Sequence, residues 1–546
     1  MIYCAEIYAG IDPEGTEDRV LIANIDFTVG GGGSPANTVA YNRLMQAANF
    51  ERSMADGKRV LGRTETGYGE CVVANADGEL DYLTTYAVDG RDFYLWALES
   101  DTGALVYEPF PLGWVRIFRC SMQSIVGDGD VLRVRLRERT FQLDQPLCPK
   151  FLGTGGLEGT ADLEGQPKPL VFGGAYNVSP VLLSPSLLTY LVSASGFMAG
   201  HHLKDSGSVV ARQLAATGYQ ENDSVASFAD LQTTPVSIGH YATHATSGTL
   251  RLGSPAIGQV TVDAASTVSD NPSDVFKAIL EAAGVATSGV YSQIDDGDFD
   301  DLYDWGVAEA SRIGIYVRDD KTTAGQAISA LAASIGAWFG VDRWGTLRTS
   351  IVVDPASMTS VLSLTEDDVQ SVKRIGSGEP GKGVPYGRVV QKYPRNWTPQ
   401  SSGLVGVVPP RVRGEIAEQF PLSVVTACAQ LSSSPPATVP ITDQFLKAPD
   451  YVIESYGVGR RVTSTGALEA TVPAPGDQFA ALFGVPRDWI EVVMPFRISD
   501  FETVDIGSCM TLTHSRFDLT EGKQFLVTRI RYDLSSKPTA TLTLWG

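Results

Sequence analysis

The chain has 546 residues, and 43% of them are hydrophobic, which is enough to fill the cores of three or four globular domains. Its formal net charge is −21, because 63 Asp and Glu residues outnumber 42 Lys and Arg residues. A surface this acidic repels phosphate backbones, so the composition argues against nucleic-acid binding by counterion release.

The cysteines and the apolar stretches exclude several classes of protein. No two cysteines form a CxxC pair, which argues against a zinc ribbon or a redox motif and predicts reduced, mostly buried thiols. The N-terminus lacks a basic segment followed by an apolar one, so we expect no secretory signal and assembly in a cytoplasm. The apolar stretch 327–341 is too short to span a membrane, and we expect no stable membrane insertion. The six cysteines are Cys4, Cys71, Cys120, Cys148, Cys428 and Cys509.

Residues 1–160 are predicted to form an N-terminal β-barrel or sandwich of short strands. The turn signals Asp77-Gly78, Asp89-Gly90 and 127–129 predict hairpins, because glycine accepts the positive φ of tight turns. The stretch 132–141 alternates apolar and basic residues, which is typical of a half-buried strand. Residues 30–33 are all glycine and predict a loop.

Residues 161–265 are predicted to form a second β-rich domain, because Pro, Gly and Ser interrupt the apolar runs too often for helices. Its first part carries an unusual number of prolines in an apolar segment. Since proline fixes φ and lacks a donor, we interpret 168–170 and 178–182 as extended edge segments between domains. The four prolines are Pro167, Pro169, Pro180 and Pro185.

Residues 266–362 are predicted to form a small α/β domain. Asn271 and Pro272 open a helix whose apolar stripe runs to Ala283, and Gly284 ends it. A strand at 312–320 follows, then a helix that opens with Thr323 and Gln326 in capping-box spacing, then a hairpin that turns near Gly345.

Residues 363–546 return to a β pattern and are predicted to form a C-terminal β domain. One stretch, 477–485, is compatible with a helix, and the proline-rich stretch 431–440 is predicted to be a surface loop. The predicted fold class is therefore mainly β and multidomain, with a β domain at each end and a β-rich and an α/β domain between them.

Three motifs suggest ligand sites, and each has a simpler structural interpretation. The stretch 376–383 matches a phosphate-binding GxxxxGK as far as Lys382, but Gly383 replaces the magnesium-binding hydroxyl and no helix pattern follows. His240 and His244, with His201 and His202 nearby, could hold a structural metal, although loop or core histidines are the favoured interpretation.

An acidic run between residues 295 and 304 suggests calcium, but position twelve of such a loop, counted from Asp296, is Val307 and not Glu. The favoured interpretation is a helix start, where carboxylates oppose the N-terminal dipole and Phe299, Leu302 and Tyr303 face inward. The acidic residues are Asp295, Asp296, Asp298, Asp300, Asp301 and Asp304.

No nucleophile elbow and no single carboxylate pair stands out, so the residues predict a structural or binding protein and not an enzyme. We assign no catalytic, cofactor-binding or metal-binding residue and expect no cofactor.

Four segments in consistent order resemble a known family. They are "GYGECVVANADGELDYLTTYAVDGRDFYLW" (67–96), "LDQPLCPKFLGTGGLEGTADLEGQPKPL" (143–170), "KPLVFGGAYNVSPVLLSPSLLTYLV" (168–192) and the C-terminal 508–546, which ends in Leu-Thr-Leu-Trp-Gly. Together they are similar to bacteriophage baseplate hub proteins of the tail-tip type.

The resemblance implies two hub barrels with smaller domains inserted between them, and three chains that close a ring at the end of the tail tube. Its expected partners are two further copies of the chain, the distal tail protein or tail tube, the tape measure protein, and a tip or receptor-binding protein. DNA would pass through a channel that we expect to be net negative, since an acidic wall repels it. The expected location is the tail tip or baseplate of a virion.

Two other functions remain open from sequence. One is a tail-associated hydrolase of cell wall or polysaccharide that uses an unrecognised carboxylate pair. The other is a receptor-binding module with a groove of clustered aromatic residues, of which Trp338, Trp344 and Trp397 are the first candidates, although core packing is their more common use.

Overall fold

The computed structural model describes most of the chain. The described residues are 1–11, 16–54, 60–99, 110–111, 113–196, 203–205, 220–256, 258–266, 269–290, 292–375, 385–402, 410–428, 450–454, 460–462, 468–470, 476–534 and 537–546. Within them the fold is mainly β and is built from several sheets, which confirms the predicted fold class.

The N-terminal part of the chain is a succession of short strands. They are β1 (Ile2–Gly10), β2 (Glu17–Ala23), β3 (Phe27–Thr28), β4 (Val39–Asn42), β5 (Leu44–Gln46), β6 (Phe50–Met54), β7 (Gly62–Gly67), β8 (Glu70–Ala74), β9 (Asp92–Leu98), β10 (Val115–Asp128) and β11 (Val131–Arg137). Alternation decides which side chains are buried: along β9, Phe93, Leu95 and Ala97 point into the core.

All of these strands except β6 and β7 form one sheet, in the order β3-β4-β2-β1-β9-β10-β11-β8-β5. Two strands that are consecutive in the chain lie near its opposite ends, since β4 pairs with β2 and β5 pairs with β8. Between them, the Arg43 amide donates to the Ala23 carbonyl, and the Arg43 carbonyl accepts from the Ala74 amide. The sheet therefore returns on itself at Arg43, as strands do in a barrel.

The middle of the chain adds a run of short strands and one short helix. They are β12 (Leu170–Val178), β13 (Val181–Ser184), β14 (Thr189–Leu191), β15 (Leu203–Asp205), β16 (Gln220–Ser224), α1 (Phe228–Thr233), β17 (His240–His244), β18 (Thr249–Leu252) and β19 (Val260–Ala265). Five of the strands form the sheet β13-β14-β18-β17-β16.

Helices dominate the next part of the chain. The elements are α2 (Pro272–Ala282), α3 (Asp296–Ala308), β20 (Gly314–Val317), α4 (Ala324–Ile335), β21 (Ala337–Val341) and β22 (Leu347–Ile351). The predicted signals are confirmed: the Asn271 side chain accepts from the Ser273 amide, Thr323 and Gln326 form a capping box, and Gly345 lies in the hairpin turn with φ of 76°.

The C-terminal part returns to strands, with three short helices. The elements are β23 (Ser360–Leu364), β24 (Ser371–Ile375), β25 (Arg388–Tyr393), α5 (Pro410–Ala417), β26 (Leu422–Ala427), β27 (Asp450–Glu454), β28 (Arg460–Val462), β29 (Leu468–Ala470), α6 (Gly476–Phe483), β30 (Trp489–Pro495), α7 (Ile498–Thr503), β31 (Cys509–Leu512), β32 (Lys523–Asp533) and β33 (Thr539–Trp545).

A ten-stranded sheet joins distant parts of the chain. Its main path is β22-β21-β7-β6-β32-β33-β30-β24, and β31 links β23 to β32. Strand β6 from the N-terminal part pairs with β32, and β7 pairs with β21. One hydrophobic core accordingly contains Ile7, Phe50, Trp338 and Trp545. The predicted domain boundaries stay predictions, but hydrogen-bonded sheets cross them.

The strands of the predicted α/β unit illustrate this crossing. Strand β20 pairs with β12 in the sheet β15-β19-β12-β20, whereas β21 and β22 belong to the ten-stranded sheet. The helices α2 and α4 pack over the core between these sheets.

Several predicted elements differ from the structure. Of the turn signals, only 127–129 connects paired strands, β10 and β11. Asp77-Gly78 instead leads into a 3-10 helix, and Asp89-Gly90 precedes β9, because a glycine with positive φ suits any tight turn and not only hairpins. The helices α1, α5 and α7 were not predicted, since six to eight residues are too few to show a clear periodicity.

The proline-rich segment is only partly the edge that the sequence predicts. Residues 181–184 form β13, an edge strand of the five-stranded sheet. Residues 168–170, by contrast, lead into β12, which lies between β19 and β20. The extended path of 168–170 therefore feeds an interior strand.

Strands β21 and β7 can approach closely because residue 340 is a glycine. A methyl group at Gly340 would overlap the buried Thr64 hydroxyl. We expect Gly340→Ala to lower the free energy of unfolding by about 1–3 kcal/mol through overpacking. The matched control is Gly32→Ala, where nothing lies within 4 Å, and it should stay within about 0.5 kcal/mol of wild type. Chemical denaturation of both variants measures the difference, and equal stabilities would contradict this account.

Candidate functional site

The site with the most unusual chemistry is a junction where the N-terminal sheet, the β21–β22 hairpin and the C-terminal strands meet. We define the junction by the side chains that form it, which are Arg52, Arg116, Arg119, Asp342, Arg343, Trp344 and Asp505.

Arg52 is the most deeply buried member of the junction. Its neighbours of the same parity on β6, Phe50 and Met54, are core residues, so strand alternation directs the Arg52 guanidinium inward. The side chain is 0% exposed and its Nη1 donates to the Asp505 carboxylate, 453 residues further along the chain. Its Nε and Nη2 have no hydrogen-bond partner among the described residues. The ion pair ties the start of the chain to its end.

Asp342 shapes the hairpin turn at the junction. Its Oδ1 accepts from the amides of Trp344 at 2.8 Å and Thr346 at 2.9 Å. The residue is 3% exposed, and this burial raises the pKa of the Asp342 carboxyl, with a further increase from Asp505 and an opposing effect from Arg52. The turn therefore holds a carboxylate in a place that disfavours its charge.

The next two residues of the turn fasten it to strand β10 and to helix α7. The Arg343 carbonyl accepts from the Arg119 amide at 2.7 Å, and Arg343 Nη2 donates to the Glu502 carbonyl at 3.0 Å. The Trp344 ring lies 4.8 Å from the guanidinium of Arg116 and 4.7 Å from that of Arg343. Cation–π contacts of this kind attach the turn to β10.

A further arginine, on β7, also connects the two large sheets. Arg63 donates through Nη2 to Glu138 at 3.0 Å and through Nη1 to Asp144. These carboxylates lie just after β11, so the pair connects the ten-stranded sheet to the end of the N-terminal sheet.

The junction is suited to hold parts together and shows no arrangement for catalysis. Its carboxylates Asp342 and Asp505 are engaged by backbone amides or by arginine. Across the described ranges, no group of three or more His, Cys, Asp or Glu side chains could hold a metal ion.

One surface cleft brings two carboxylates together, which bears on the hydrolase alternative. A cleft of about 390 Å³ is lined by residues that include Glu51, Ser53, Glu65 and Arg531. Glu51 is held by Arg529, whose Nε donates to it at 2.9 Å. One of the two carboxylates in the cleft is therefore already engaged by an arginine, and the cleft is the place where the hydrolase alternative can be tested.

The predicted histidine site is only partly described. His240 and His244 lie on one face of β17. The Nδ1 of His244 lies 2.6 Å from the Ser247 hydroxyl, and that of His240 is buried without a partner among the described residues. His201 and His202 lie outside the described residues, as do the glycine-rich loop 376–383 and the stretch 431–440.

The acidic run forms the start of α3, as the favoured interpretation predicted. Asp295 caps the helix by accepting from the Asp298 amide at 3.0 Å, and Asp298 itself binds Arg348. Phe299 and Leu302 are buried as expected, but Tyr303 is 43% exposed, so its predicted inward position was wrong. Residue 303 lies one position beyond the stripe that contacts the core.

The three tryptophans do not share a groove. Trp338 is in the main core, Trp344 lies in the junction, and Trp397 packs against Tyr316 and Arg395. All six cysteines are free and buried, as predicted, and burial raises the pKa of the Cys71 thiol to about 12.

Sequence reasoning missed the junction, although one signal was available. In β6 an arginine occupies the parity of Phe50 and Met54, which places a charge on the core side of a strand. Its partner Asp505 could not have been found, because the two residues are 453 positions apart.

Comparisons with known proteins find solved structures that resemble this chain only weakly. No family model and no curated protein matches the chain. Among solved structures, the chain is similar to the 43 kDa tail protein of prophage MuSo2 from Shewanella oneidensis, with 9% identity and a TM-score of 0.34 over 93% of this chain and 94% of that one.

Two further solved structures are similar at the same level. The tail protein from Neisseria meningitidis MC58 has 10% identity and a TM-score of 0.35 over 100% of this chain and 96% of that one. A chain of the Francisella PdpA-VgrG complex has 7% identity and a TM-score of 0.33 over 100% of this chain and 58% of that one. TM-scores at this level do not establish a shared fold. No helix in the described ranges is long and apolar enough to cross a membrane.

Because Arg52 is buried, removing Asp505 and removing Arg52 should lower the free energy of unfolding by different amounts. Asp505→Ala leaves a buried cation without its counter-charge, and we expect it to lower the free energy of unfolding by about 3 kcal/mol or more. Arg52→Met removes the charge itself and should cost clearly less. Glu51→Ala, which breaks the exposed pair with Arg529, is the matched control and should cost less than about 1 kcal/mol. Denaturant titration of the three variants ranks them, and equal losses for Asp505→Ala and Glu51→Ala would contradict the burial argument.

The raised pKa of Asp342 predicts a pH effect of defined sign. Its contribution to stability is present at low pH and is lost as pH rises through the folded-state pKa. Asp342→Asn keeps an oxygen for both amide donors and removes the buried charge. We therefore expect the melting temperature of this variant, relative to wild type, to increase between about pH 3 and pH 7. Parallel melting curves at several pH values test this, and a difference that shrinks with rising pH would refute it.

Proposed function

We propose that the chain is a structural hub of a bacteriophage tail, located at the tail tip or baseplate. Three copies form a ring that closes or adapts the end of the tail tube and surrounds the DNA exit channel. The hub links the tube, through a distal tail protein, to the tape measure protein and to a tip or receptor-binding protein. It performs no catalytic turnover.

The observation that carries the proposal is the joining of both chain ends into one body. Strand β6 lies beside β32 in a ten-stranded sheet, and Arg52 binds Asp505 across the same joint. This arrangement joins strands from both ends of the chain in one sheet, and the β21–β22 hairpin from the middle of the chain extends that sheet beyond β7. A body of this kind suits a part that transmits force and keeps its shape, which is what a tail joint requires.

Two further features support the proposal. Four segments, in consistent order along the chain, resemble hub proteins, and they cover both β units and the connection between them. The net charge of −21 suits a wall that DNA must pass without adsorbing, and we expect the channel surface to be net negative.

The first test is the absolute mass of the purified protein in solution. We expect three times the 58.4 kDa of one chain by light scattering, and ring-shaped particles with threefold symmetry by electron microscopy. A chain that stays monomeric up to the highest soluble concentration would contradict self-association without tail partners.

A parallel assay separates the hub from the hydrolase alternative. The same preparation, incubated with purified peptidoglycan and with capsular polysaccharide, should release no soluble sugar or peptide. Release that a single Glu or Asp substitution abolishes, for example Glu65→Gln in the surface cleft, would establish the enzyme instead.

A further inference from the structure

The outer face of α3 is a surface that the rest of the described chain does not cover. Phe299 and Leu302 hold the helix on the core, whereas Tyr303 is 43% and Val307 is 61% exposed. Asp296, Asp300 and Asp304 are exposed on this outer side, one helical turn apart. The face therefore combines a row of negative charges with two exposed apolar side chains.

Strand β11 presents the opposite charge on the outer face of the N-terminal sheet. Arg133, Arg135 and Arg137 alternate with the buried Leu132 and Val134, so the three guanidinium groups share one face. Arg135 is the most exposed, with 53% of its side chain accessible. The arginines form a positive row along a strand of an acidic protein.

Arg137 is held by Asp89 at 2.6 Å, whereas the other two arginines of the row have longer ion-pair contacts. Arg133 and Arg135 share Glu70 at 3.5 and 3.4 Å, and Arg133 also lies 3.4 Å from Asp128, which is 67% exposed. Exposed pairs of this length contribute little to stability. Arg133 and Arg135 can thus exchange these contacts for carboxylates of another molecule at low cost.

The two rows match in spacing and in length. Alternate residues of a strand are about 6.7 Å apart, and helical residues four apart are about 6 Å apart. The 13 residues of α3 span about 20 Å, and the 7 residues of β11 span about 23 Å. Val126, which pairs with Arg133 and is 39% exposed, offers an apolar contact beside the row.

We propose that α3 of one chain docks on the arginine row of β11 in a second copy, so that the trimer closes head to tail. The contact is heterologous, because it joins two different surfaces, and three such contacts related by a threefold rotation form a closed ring. This inference rests on the proposed hub function and identifies the surfaces that would assemble it.

Charge reversal on each side tests the contact. Asp300→Arg with Asp304→Arg, and separately Arg133→Glu with Arg135→Glu, place like charges opposite each other. Each double variant should shift from the trimer toward the 58.4 kDa chain by light scattering. The variant with all four substitutions restores opposite charges and should regain the trimer. Circular dichroism and thermal unfolding check that each variant is folded.

The matched control reverses two exposed carboxylates in the C-terminal part of the chain. Asp367→Arg with Glu521→Arg makes the same change in net charge as the α3 variant and should remain trimeric. If wild type is a trimer and folded reversal variants stay trimeric, the contact is overturned while the hub function stands. Failure of the fourfold variant to reassemble also overturns this pairing. A wild-type protein that is monomeric would instead contradict the proposed trimer and, with it, this contact.

Discussion

The pairing of β6 with β32 is the contact on which the rest of the architecture depends. It places Arg52 beside Ile530 and brings residues near position 50 next to residues near position 530. One core contains both Ile7 of the N-terminal sheet and Trp545 of the C-terminal strands. Because loop closure over hundreds of residues is entropically unfavourable, this pairing has to be supported by extensive contacts.

The junction shows how that support is distributed. The hairpin turn at 342–345 touches β10 through Arg119 and the C-terminal part through the Glu502 carbonyl. The turn, which belongs to the ten-stranded sheet, is therefore packed against β10 and helix α7. A buried carboxylate at Asp342 is disfavoured by desolvation, but it orders the turn through two amide donors. Asp342 therefore has an electrostatic cost at its own position, and it also orders a turn that contacts distant parts of the chain.

Local elements could be predicted from the sequence, and long-range pairing could not. The helix from Pro272, the capping box at Thr323 and the hairpin at Gly345 have signals within a few residues. The crossing of β6 and β7 into the ten-stranded sheet has none, because alternation identifies a strand and its buried face but not its neighbour. The junction shares this limit: the inward parity of Arg52 was visible, and the identity of Asp505 was not.

The choice of arginine explains why these joints can be both buried and charged. A guanidinium keeps its proton in the interior and forks toward planar acceptors, whereas a buried lysine loses its charge more readily. Arginine supplies the cation of the long-range pairs to Asp505, Asp144 and Asp354. In an acidic chain, each such pair also neutralises a carboxylate where two segments meet. Since each pair is neutral as a unit, the net charge of −21 comes from groups outside such pairs.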